Sequence, residues 1–154
     1  RDNVLGIILL RSPLYPDPLA DDGEHRFTYS LLPYPGDWTE AGVAREAFSL
    51  NTPLVVGEGG GGTAGYGLIT TEGVELALGS LKRAEDGRGV ILRLYEPHGK
   101  RGSATLRFAF GAGSVERANL LEEPEGAVET REGEVRLDVR PFEVLTLRVL
   151  PEAG

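Results

Sequence analysis

Short runs in which apolar and polar residues alternate one by one, cut apart by glycine and proline, govern what this chain can build. Val135, Leu137 and Val139 interleave with Arg136, Asp138 and Arg140. At a side-chain period of two, a strand there buries one face and wets the other. Ala104, Leu106, Phe108 and Phe110 alternate in the same way with Thr105, Arg107 and Ala109, and His25, Phe27, Tyr29 and Leu31 form a third series. Val74 to Leu81 and Val90 to Tyr95 read as further strands, while Leu5 to Leu10 is nearly continuous apolar and suits a strand covered on both faces. Turn signals recur between these runs, at Asp86-Gly87, Pro97-His98-Gly99, Gly111-Ala112-Gly113 and Glu132-Gly133. Together they predict a mainly all-β fold, an antiparallel β-sandwich. One segment breaks the pattern. Asp37 and Glu40 have capping-box spacing, and Val43, Ala47 and Leu50 recur at helical intervals, which predicts one helix over 37–50, ended by Asn51 and Pro53.

At 154 residues the chain has the length of a single domain, expected to span 1–154. Sixteen basic against twenty-four acidic residues leave a net charge of −8, which argues against a nucleic-acid partner and disfavours an anionic membrane surface. No apolar run approaches the ~20 residues of a membrane-spanning helix. Cysteine is absent, so disulfides, thiolate nucleophiles and cysteine-based zinc sites are excluded. His25 and His98 lie too far apart in sequence for a histidine-pair metal motif. The chain starts at Arg1 and contains no methionine, as expected if something was cleaved from its front or if it is a piece excised from a longer protein.

Several residues could carry chemistry. Gly57, Gly59 and Gly62 have the spacing of a dinucleotide-binding loop, but no amphipathic helix follows, so the glycine-rich stretch to Gly67 reads as a mobile loop. Paired carboxylates are the working parts of glycosidases, which makes Glu96, Asp138 and Glu143 acid or base candidates. Their settings favour other roles: Asp138 as a solvated neighbour of Arg136 and Arg140, Glu96 as a side chain bonding turn amides before Pro97, and His98 as a solvated loop residue. Trp38, Tyr15, Tyr34 and Tyr66 could form an aromatic sugar platform, with Trp38 alternatively fastening the helix to the sheet. Arg11 emerges directly from the apolar run Ile7 to Leu10, where its five-donor fork suits carboxylates or vicinal sugar hydroxyls, and its position in the sequence favours a salt bridge within the domain.

The chain resembles one family over nearly its whole length. The likeness runs from Leu9-Leu10-Arg11-Ser12-Pro13 through His25-Arg26-Phe27-Thr28-Tyr29, Ser49-Leu50-Asn51-Thr52-Pro53-Leu54 and Leu81-Lys82-Arg83-Ala84-Glu85. It continues with Leu92-Arg93-Leu94-Tyr95-Glu96-Pro97-His98-Gly99, Asn119-Leu120-Leu121-Glu122-Glu123-Pro124 and Pro141-Phe142-Glu143-Val144-Leu145-Thr146-Leu147. These segments are similar to the C-terminal region of glycoside hydrolase family 38 α-mannosidases of the cytosolic type. The resemblance implies a β-sandwich from a parent enzyme that removes α-linked mannose with retention, using two carboxylates and a divalent metal, zinc or cobalt, held by an N-terminal catalytic domain. It implies that this chain holds no catalytic residue and no metal. Its partners would be that catalytic domain and, through the parent enzyme, a mannoside substrate, and its location cytoplasmic. Arg11 alone is carried over, as a substrate-binding residue reaching the sugar cleft. Tyr34 stands where relatives often carry histidine and Glu123 where they often carry arginine. The alternative function is an autonomous carbohydrate-binding module.

Overall fold

In a computed structural model the chain is described over residues 4–58, 67–131 and 133–151. It divides into two units, Arg1–Pro35 and Gly36–Gly154. The second unit contains helix α1 (Val43–Asn51) and strands β1 (Ile69–Gly73), β2 (Ala77–Arg83), β3 (Val90–Tyr95), β4 (Gly102–Phe108), β5 (Ala112–Ala118), β6 (Pro124–Val128), β7 (Thr130–Arg131), β8 (Glu134–Val139) and β9 (Val144–Pro151). Two antiparallel sheets form, one ordered β1-β4-β8-β7 and the other β2-β3-β9-β5-β6. This is the β-sandwich that the alternation predicts.

The alternating residues supply the core. Ala104, Leu106 and Phe108 of β4 and Val135, Leu137 and Val139 of β8 point inward from the first sheet. They meet Leu92 and Leu94 of β3, Val115 of β5 and Leu145, Leu147 and Val149 of β9 from the second. Leu92 pairs with Leu147 and Leu94 with Leu145 across the β3–β9 ladder, so both strands keep one register of apolar side chains on the inner face. Strand β9 does not alternate in burial, because Thr146 and Arg148 on its outer face are buried as well. Arg148 donates to Asp86 Oδ2 at 2.6 Å and to the carbonyl of Glu122 at 2.9 Å, so the loop after β5 covers that face. Glu122 takes Lys82 Nζ at 2.8 Å and the Glu85 N–H at 2.8 Å, and the Lys82 ammonium first, then the Glu85 amide, hold its carboxyl below the usual range.

Four local expectations need correction. The strand expected over Val74 to Leu81 starts three residues later, as β2 at Ala77: β1 ends at Gly73, whose φ of +91° turns the chain out of one sheet before β2 starts in the other. A Cβ on Gly73 would run into the Ser103 carbonyl oxygen. Gly73→Ala is therefore expected to lower stability by about 1–3 kcal/mol, read as a shift in the urea midpoint. Neither Leu5 to Leu10 nor His25 to Leu31 is a strand; both are exposed and lack the neighbouring ladder that makes an extended run a strand. The helix starts at Val43 and not at 37. Asp37 Oδ1 accepts from the N–H and Oγ1 of Thr39, closing a turn, and Gly42, with φ of +67°, stands at the N-cap. Its end at Asn51 agrees with the stop signal at Pro53.

Candidate functional site

Glu96 follows β3 directly, and its residue is 1% exposed. Its Oε1 accepts the His98 N–H at 2.9 Å, and its Oε2 accepts the N–H groups of Gly99 at 2.6 Å and Phe142 at 3.0 Å. One carboxylate thus ties the turn between β3 and β4 to the connection between β8 and β9. Burial by itself would raise its carboxyl, but the amides of Phe142, Lys100, His98 and Gly99 together outweigh burial and hold it below the usual carboxylate range. Phe142 keeps a φ of +56° there, and its ring lies so close to Gly99 that a Cβ on that glycine would sit 2.8 Å from it. With both carboxylate oxygens occupied, Glu96 bonds turn amides, the role its sequence position suggests.

His98 departs from expectation. Its side chain is only 2% exposed, lying against Trp38 with ring centroids 5.6 Å apart and bonding Glu75 Oε2 through Nε2 at 3.1 Å. It is not a solvated loop residue, because the Trp38 ring and the β1–β2 connection cover it. Trp38 therefore fastens the segment before α1 to the turn after β3. Tyr15 and Tyr34 are exposed at 87% and 42%, and Tyr66 lies outside the described residues, as do Gly59 and Gly62 of the glycine-rich stretch. Asp138 has an exposed side chain. Glu143 accepts the Arg140 N–H through Oε2 at 2.7 Å and lies 3.5 Å from Arg117 through Oε1. Glu123 takes the Asn119 side-chain amide at 2.7 Å and forms no ion pair among the described residues.

Arg11 lies in the first unit, exposed, immediately before Ser12. Ser12 adopts a φ of +44°, and its N–H donates to Asp21 Oδ2 at 2.7 Å. The nearby acid is thus engaged with the backbone, closing residues 12–21 into a loop. No carboxylate among the described residues forms an ion pair with Arg11. Among the described residues no three His, Asp or Glu side chains converge to hold a metal. No helix among them is long and apolar enough to cross a membrane.

The glycosyl hydrolases family 38 C-terminal beta sandwich domain matches residues 75–147, the stretch from just before β2 into β9. Alpha-mannosidase 2C1 of Homo sapiens is 34% identical over 96% of this chain and 15% of its own length. Alpha-mannosidase G of Dictyostelium discoideum is 31% identical over 95% of this chain and 14% of its own. A putative mannosylglycerate hydrolase of Halalkalibacterium halodurans is 30% identical over 82% of this chain. The chain spans about 15% of the length of the curated relatives it matches. With its two antiparallel sheets and motif order in agreement, the chain carries the C-terminal β-sandwich domain of glycosyl hydrolase family 38.

Proposed function

We propose that this chain is a non-catalytic C-terminal domain of an α-mannosidase, bracing an N-terminal catalytic domain and presenting Arg11 to the sugar cleft. The observation that carries this reading is apolar surface left in water. Leu5, Leu14 and Leu54 are 81%, 81% and 95% exposed, and Val55 and Val56 exceed 90%, while Leu92 and Leu147 of the sandwich are at 0%. Side chains of this size contribute about 1.5–3 kcal/mol each when fully covered, and exposed apolar stretches of this kind mark interaction surfaces. A catalytic domain resting on residues 4–14 covers the apolar side chains of the first unit. In the parent enzyme two carboxylates perform the hydrolysis and a divalent metal binds sugar hydroxyls, all within that other domain.

The purified chain is expected to show no hydrolysis of an aryl α-mannoside above a metal blank with zinc or cobalt. Adding it to a separately made catalytic portion is expected to raise turnover at least tenfold. Turnover by the chain alone overturns the non-catalytic reading, and unchanged turnover of the mixture overturns the bracing one. Saturable binding of mannose oligosaccharides to the isolated chain would instead make it an autonomous carbohydrate-binding module.

A further inference from the structure

We propose that the cleft between Arg101, Ser103, Arg117 and Arg140 binds a phosphomonoester. The site does not involve Arg11 and is independent of the α-mannosidase reading. Gly102 pairs with Val139 across the β4–β8 ladder, and one step further Arg101 and Arg140 follow at the same end of these two strands. Both lie on the side of the strands that Ser103 and Asp138 occupy, away from the core residues Ala104, Leu137 and Val139. Like charges placed across a ladder repel. Neither guanidinium forms an ion pair or side-chain hydrogen bond among the described residues.

Arg117 enters from the other sheet, on β5, and is held only loosely, 3.5 Å from Glu143 Oε1 and 3.4 Å from the Asp138 carbonyl. The two sheets thus bring three guanidinium groups and the Ser103 hydroxyl to one cleft in a chain whose net charge is −8. Two carboxylates also line it. Glu143 is engaged by the Arg140 N–H, whereas Asp138 also lines the cleft and its negative charge opposes an anion.

Donor directions select the ligand. A planar carboxylate is satisfied by one arginine fork, while a tetrahedral oxyanion accepts from forks arriving on several sides. The cleft measures about 550 Å³, which leaves room beside the phosphoryl group for an organic group as large as a hexose. Free phosphate and a hexose phosphate share the recognised phosphoryl group, and the two serve as separate probes.

Titration of the 154-residue chain with inorganic phosphate and with a hexose phosphate, followed by amide and arginine Nε NMR shifts, tests the proposal. Saturable shifts are expected at residues 101–103, 117 and 138–140, with the hexose phosphate binding at least threefold tighter. Arg101→Gln and Arg140→Gln should each weaken it about tenfold, Asp138→Asn should tighten it, and Arg83→Gln, on β2, should leave it unchanged. Absence of saturation, equal weakening by Arg83→Gln, or weaker binding in Asp138→Asn overturns the site. Equal affinity for the two probes overturns the organic group.

Discussion

Replacing Glu96 by alanine is expected to remove about 3–5 kcal/mol from the stability of the sandwich. Three N–H groups lose their acceptor at once, those of His98, Gly99 and Phe142, and a buried donor left without a partner costs about 1–3 kcal/mol. Partial entry of water at the turn keeps the sum below the simple threefold maximum. Glu96→Gln retains one carbonyl oxygen but turns an NH2 group toward an amide donor, so its loss should fall between wild type and alanine. The pH dependence has a definite sign. Because the folded carboxyl is held below its ordinary value, its contribution is complete above the unfolded glutamate range, near pH 4–5, and is lost as pH falls through the lower folded value. Urea midpoints measured from pH 7 downward should therefore fall less steeply in Glu96→Gln than in wild type. Equal slopes and a loss below 1 kcal/mol in Glu96→Ala would show that Glu96 does not hold the junction.

The sandwich was legible where a single strand carries the whole pattern. In β4 and β8 one face is core and the other is solvent, so Leu106 and Val135 alternate cleanly with Arg107 and Arg136. Arg107 pairs with Glu134 at 2.5 Å and with Glu72, all on the wet side. Strand β9 hides from such a reading because its outer face is covered, and Arg148 is buried through partners 26 and 62 residues away. Strand β5 escapes for a different reason: Gly111 and Gly113 read as a turn, yet β5 starts at Ala112 between them. Residues 4–35 mislead most. Their apolar pattern is genuine, but Leu5, Phe27 and Leu31 are exposed and the run forms no ladder among the described residues.

The candidate site divides along the same line. Glu96 was readable as a turn acceptor because Pro97 and Gly99 force a tight turn directly after a buried strand. The burial of His98 was not, since Trp38 lies sixty residues earlier and meets it only in the folded chain. The Arg101, Arg117 and Arg140 cleft depends on the register of β4 against β8 and on the meeting of two sheets, neither of which is a local property of sequence.

Arg11 is where the proposed contribution to catalysis can be read as a rate. A hydrogen bond from a charged donor contributes about 1.5–3 kcal/mol, and lost from the transition state this corresponds to roughly 10- to 150-fold in turnover. Its guanidinium is exposed and makes no ion pair among the described residues, so truncation leaves no buried group without a partner. The most direct measurement is hydrolysis of an aryl α-mannoside by the full-length enzyme carrying Arg11→Ala, taken with its Tm. The account predicts a fall in kcat/KM of at least tenfold with Tm unchanged; full turnover, or a lowered Tm accounting for the loss, contradicts it.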